Sequence, residues 1–288
     1  MEKIERSISS EYFSELVGKE VLKFIQKKAP TKVWWRIVKA MDHAEKAMLL
    51  NDVDDEMGAI RLIAAEEELV VSIFEWLKLN ESKMPEHSDL VRSYKNHQVK
   101  LMFYPVLSVM HEIIRPMIQD GVSFEGLENY QMTIVPKIDS NAITFHLHDP
   151  DGKEIIPLNP LATVISLDNK TSDEVSDSLF QELVNRIKHS HNFNLKTFVT
   201  RRSDFRNKLL YSEDGGFMTG GDTVTQLLEN GFHSTFRELL WTIAILLGND
   251  PISPNLGLAS QFISVYRRVL LETKAMRSRG DLASTITN

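Results

Sequence analysis

Residues 52–78, DVDDEMGAIRLIAAEEELVVSIFEWLK, constrain the fold more than any other part of the chain. At 3.6 residues per turn they form a helix that is apolar around most of its circumference yet carries three successive glutamates. Ile60, Ile63, Ala64, Val70, Val71, Phe74 and Leu77 share one face with Glu67 at its middle. Glu66 falls in the neighbouring apolar row of Leu62, Leu69 and Ile73, whereas Glu68 joins Arg61, Ser72 and Glu75 on the polar row. Glu66 and Glu67 are therefore directed inward. A carboxylate taken out of water without a partner costs on the order of several kcal/mol, so each must meet a cation, be neutralised or line a wet cleft.

A second helix carries the opposite charge. Residues 195–211, LKTFVTRRSDFRNKLLY, hold five basic side chains, Lys196, Arg201, Arg202, Arg206 and Lys208, against the single acid Asp204. Residues 52–68 hold seven acids against Arg61 alone. Opposite fields of this kind predict that the two helices pack together, with Arg202 or Arg206 meeting Glu66 or Glu67. Arg202 and Arg206 are four apart and share a face, with Phe198, Phe205 and Leu209 as apolar anchors. Two readings stand. The pairs are a structural polar core formed by Glu66, Glu67 and Arg206, or they are partly self-satisfied and also orient a phosphate.

The rest of the chain is mostly helical in pattern. Ser9 or Ser10 caps an expected helix to about residue 28, ended by Pro30, and another runs from Thr31 with Val33, Trp34, Ile37, Val38, Met41, Ala44, Met48 and Leu49 as its apolar stripe. A helix is expected from about 90 to 119, kinked or divided at Pro105 and Pro116. Between 130 and 167 the period changes to two, in QMTIVPKI, AITFHLH and KEIIPL, with a Pro-Asp-Gly hairpin turn at 150–152. Helical spacing resumes from Ser172 and again at 195–211, 234–247 and 256–274. The expected fold is mainly α, a helical bundle with a small inserted antiparallel β-sheet. Residues 1–120 form its N-terminal helical part, 121–170 the sheet insertion, 171–275 the C-terminal part completing the same bundle, and 276–288 a flexible tail.

Composition narrows the function classes. With 33 basic and 40 acidic residues, net charge −7, no global field draws the chain to nucleic acid, so any polyanion site is a local basic patch. The chain has no cysteine, which removes disulfides, thiolate catalysis and cysteine zinc sites. The start, MEKIERSISSEYF, lacks a signal-peptide core, and the longest apolar run, 239–247, is about half a membrane span. The expectation is a soluble, cytoplasmic protein away from membranes.

The run Arg206-Asn207-Lys208-Leu209-Leu210-Tyr211 resembles the R-x4-6-H element of HEPN-domain proteins, a helical family rich in RNases, toxins and phage-defence components. Arg206 and Asn207 match it, and Tyr211 stands where the family's histidine would be. The AIRLIAAEEEL helix followed by RNKLLY is also similar to a bacterial group in which tyrosine is the usual residue there, and with which no activity comes. The resemblance implies RNA or another phosphate-bearing ligand as partner, Arg206 on the phosphate, no cofactor, and a homodimer across the motif helix. Asn207, Arg202, Lys208 and Asn96 are the expected ligand-binding residues, and Arg206, Tyr211, His97 and Glu67 the expected catalytic set. A phenol, with a reference pKa of about 10, is a poor general base at neutral pH. His97, in line with Leu90, Tyr94 and Leu101 and so expected to face inward, is either a hydrogen-bonded core residue or, where it shares the cleft of Glu67 and Arg206, the acid/base group that Tyr211 does not supply.

No metal site is expected. His146 and His148, two apart on a strand, and His189 and His191 have no carboxylate at a ligand spacing, and polar surface faces account for them. The glycines of EDGGFMTGGD lack the order of a phosphate-binding loop. Two functions remain: an RNA- or phosphodiester-binding protein, with or without cleavage, or a non-catalytic scaffold or regulator that presents a rigid polar core to a protein partner.

Overall fold

The structure, a computed structural model, describes residues 11–119, 133–138, 142–149, 151–162, 164–166, 170–211, 221–248 and 257–276. In chain order come α1 (Glu11–Val17), α2 (Lys19–Lys28), α3 (Thr31–Leu49), α4 (Asp55–Leu79), α5 (Ser88–Ser93) and α6 (His97–Gln119). The strands β1 (Thr133–Ile138), β2 (Ile143–His148) and β3 (Glu154–Leu158) follow. Then come α7 (Ser172–Ser190), α8 (Leu195–Leu210), α9 (Val224–Leu227), a π turn (Leu228–Phe232), α10 (His233–Leu247) and α11 (Gly257–Glu272). This is a mainly helical protein with a small antiparallel sheet. The chain divides into two compact units, Met1–Leu77 with Arg202–Ala244, and Lys78–Arg201 with Ile245–Asn288.

In the first unit the single helix expected up to residue 28 is broken. Gly18 takes φ +89°, a left-handed conformation that glycine adopts without steric cost, and separates α1 from α2. Ser9 and Ser10, its expected caps, lie outside the described residues. Phe13, Val17, Val21, Leu22, Phe24 and Ile25 are all buried nonetheless. In α3 the stripe holds through Val33, Ile37, Met41 and Ala44, but Met48 and Leu49 at its end are exposed. Along α4 apolar packing extends further round than the row assignment implies. Ser72, expected on the polar row, is fully buried and donates its hydroxyl to the Leu69 carbonyl at 2.6 Å.

α9 lies where the hydrophobic spacing predicts no helix. Thr223 and Gln226 form a capping box, the Thr hydroxyl accepting from Gln226 N and the Gln side chain from Thr223 N. That T-x-x-Q spacing is legible in the sequence. Asp55 ties this helix to α4 by accepting from Val224 N at 3.0 Å.

In the second unit, α7 and α11 pack together and α6 packs on both. The buried Tyr266 hydroxyl donates to the Val99 carbonyl, and Phe103 stands edge-on to Tyr266 and Phe262. Arg267 forks onto both oxygens of Asp89. The division expected at Pro105 and Pro116 falls instead at 94–96, and Pro105 sits inside α6. The cause is Asn96, whose side chain accepts from Gln98 N at 2.9 Å and starts a new helix in a new phase.

The sheet order is β1-β2-β3, antiparallel throughout, with Lys137 opposite Thr144 and Phe145 opposite Leu158. The β2–β3 connection turns at Asp151 and Gly152, while Pro150 of the expected turn lies outside the described residues. Gly152 has φ +79°, its N–H donates to the Asp149 carbonyl at 3.0 Å, and Lys153 N donates to the Asp149 carboxylate at 2.8 Å.

Candidate functional site

The inward glutamates of α4 are where the period placed them. Glu66 is fully buried and Glu67 nearly so, while Glu68 is half-buried and paired with Arg36 at 3.1 Å. α8 brings both expected arginines to them: Arg202 Nη1 lies 2.9 Å from Glu66 Oε2, and Arg206 Nε lies 3.6 Å from Glu67 Oε1. All four residues belong to the first unit.

The two pairs differ. Arg202 is extensively engaged: besides Glu66, its Nη2 donates to Thr235 Oγ1 at 2.8 Å, and its guanidinium sits 4.8 Å from the centre of the Phe232 ring. Thr235, itself fully buried, donates its hydroxyl to the Gly231 carbonyl at 2.9 Å. Arg202 therefore links α4, the π turn and the start of α10. Arg206 is held by much less. Its contact with Glu67 is too long for a hydrogen bond, and no other partner is seen among the described residues.

Electrostatics at Glu66 follow from burial. Loss of water pushes its carboxyl up to about 7, Arg202 pulls it back down, and the neighbouring Glu67 adds to the rise. Both Glu66 oxygens lack a well-directed hydrogen bond among the described residues, although Arg202 stands at contact distance. The nearby positive charge thus only partly offsets desolvation.

Past Arg206, α8 turns to solvent. Asn207, Lys208 and Tyr211 are exposed, Tyr211 just beyond the end of the helix. On another side of α8, Phe205 and Leu209 line a cavity of about 240 Å³ with Asp55, Glu56 and Asp222. Those carboxylates make it unsuited to a phosphate. Most of the glycine-rich loop, 212–220, lies outside the described residues.

Comparison with family models, curated proteins and solved structures returns no match.

His97 and Asn96 belong to the second unit. His97 is exposed as the first residue of α6 and does not face inward, because the helix restart at Asn96 removes it from the line of Leu90 and Tyr94. Asn96 is a helix cap whose amide also donates to the Ala275 carbonyl at 3.3 Å. His146 is likewise not a surface group. It is buried, with Nδ1 2.8 Å from Glu154 and Nε2 2.8 Å from Thr144 Oγ1, and this contact holds the Glu154 carboxyl below its usual range. Among the described residues, no group of three or more His, Asp or Glu side chains could hold a metal ion, and no helix is long and apolar enough to cross a membrane. Thr235 and Phe232, which complete the surroundings of Arg202, escaped the sequence reading. Neither carries a charge or a periodic signal that links it to α8.

Proposed function

We propose that the chain is a HEPN-like RNA-binding protein in which Arg206, with Asn207 and Lys208 beside it and Tyr211 at the helix end, grips a phosphodiester. What supports this reading is the unequal engagement of the two arginines. Arg202 is committed to Glu66, Thr235 and Phe232, whereas Arg206 has one long contact among the described residues and lies next to exposed polar side chains. A guanidinium that keeps unused donors beside solvent suits a phosphate, which it can bind through two parallel N–H···O bonds. Binding without cleavage is the expected behaviour, since the solvent-facing His97 of α6 does not take the role of an inward base.

The test is fluorescence anisotropy with a labelled single-stranded RNA. Arg206→Ala is expected to weaken binding roughly ten- to hundredfold, the worth of one charge-assisted phosphate contact. It should also flatten the dependence of log K on log salt by about 0.7. Its melting should stay cooperative, with a stability loss of no more than about 1.5 kcal/mol, because the Glu67 contact is too long for a hydrogen bond. Unchanged RNA binding, or a loss of about 3 to 5 kcal/mol, would refute the proposal and favour the scaffold reading.

That second reading draws on Arg202, whose bracing of the π turn is what a rigid, non-catalytic presenting frame needs. Both readings agree on Arg202 and part only at Arg206.

A further inference from the structure

The connection between α3 and α4 exposes an apolar knuckle that the RNA reading does not use. Leu49, Val53 and Met57 are 74%, 79% and 41% exposed, and they recur every fourth residue through the turn. The turn is built rather than loose. Val53 N and Asp54 N both donate to the Leu50 carbonyl, at 3.0 and 2.9 Å, and Gly58 N to the Asp54 carbonyl at 2.9 Å. Beside it Met48 and Leu49 border a cavity of about 230 Å³, walled by Tyr12, Phe13, Met41 and Glu45. That volume accommodates a large apolar side chain. Clustered exposed apolar side chains next to a cavity are characteristic of interaction surfaces.

Charge decides what covers the knuckle. From Ala47 to Ile60 there is no basic residue, and Asp52, Asp54 and Glu56 are exposed among the apolar side chains. Asp54 also caps α4 by accepting from Met57 N at 3.0 Å, which accounts for that acid but not for the exposed Leu49 and Val53. Nucleic acid and anionic lipid are repelled by such a rim, whereas a cationic partner is attracted. We infer that the α3–α4 knuckle is a docking site for a cationic amphipathic segment of a partner protein, one apolar side chain entering the cavity and its basic residues meeting Asp52, Asp54 and Glu56.

The probe is a labelled helical peptide with leucines on one face and lysines on the other, read by anisotropy. The intact protein should bind it at least tenfold more tightly than a peptide with glutamates in place of the lysines. The double variant Leu49→Ser/Val53→Ser, which alters only exposed side chains, should lose at least tenfold, and Glu56→Lys should weaken binding and reduce its salt dependence. The inference is overturned if the intact protein does not bind the lysine peptide, if both peptides bind alike, or if the double variant binds as tightly as the parent. It is equally overturned if sedimentation finds a dimer that the double variant dissociates, or if an unlabelled peptide of residues 1–10 displaces the probe. In those two cases a second copy or the chain's own start covers the knuckle.

Discussion

Glu66 is the residue at which competing terms can be compared. Its carboxyl is pushed from an ordinary 4.5 to about 7 because the loss of water outweighs the attraction of Arg202. A carboxyl with a raised folded pKa contributes stability that is fully present below its unfolded pKa and is lost as pH rises through the folded value. The window is therefore pH 4.5 to 7, and the loss integrates to about 3 kcal/mol. Glu66→Gln, which mimics the protonated acid, should match the parent in urea melts at pH 4.5 and exceed it by up to about 3 kcal/mol at pH 8. His43, which burial and then the nearby Lys39 and Arg61 lower to about 4, has the opposite slope between about 4 and 6.5. The comparison must therefore be parent against variant at each pH. A parent–variant difference that does not change with pH would mean that Glu66 is ionised throughout or solvated.

At the scale of elements, the close seat of α9 on α4 depends on the absence of a side chain. A Cβ on Gly58 would lie 2.3 Å from Val224 Cγ2, the short arm of a stiff β-branched residue. Alanine would gain up to about 1 kcal/mol in helix propensity, but overpacking costs about 1 to 3 kcal/mol, so the clash wins. Gly58→Ala should lower the melting temperature, and Val224→Ala in the same chain should recover part of the loss. The elements themselves were largely legible. The 3.6 period located α3, α4, α7, α8, α10 and α11, and the change to a period of two located the three strands. What was missed came from single side chains or single dihedrals: Gly18 dividing a helix, Asn96 restarting one and so turning His97 outward, and the short α9 behind its capping box. These are local hydrogen-bond and backbone choices that leave no trace in an average over a helical face.

At the scale of the whole molecule, the hydrophobic pattern of the sequence specified a helical bundle with a small sheet, and its charge pattern specified which helices meet. Seven acids on one apolar segment and five bases on another predicted the α4–α8 contact, and Arg202 and Arg206 are the residues that make it. The pattern did not reveal that the two arginines are unequal, because Thr235 and Phe232 come from distant parts of the chain and only the fold brings them to Arg202. The central claim, that buried acid on α4 is tolerated because α8 brings cations to it, is tested most directly by a double-mutant cycle on Glu66 and Arg202. Global stability would be measured at pH 8 for the parent, Glu66→Gln, Arg202→Met and the pair. Arg202→Met should cost roughly 3 kcal/mol in the parent and clearly less in the Gln background, a coupling of roughly 1 to 3 kcal/mol. Costs that simply add, with no coupling, would contradict it.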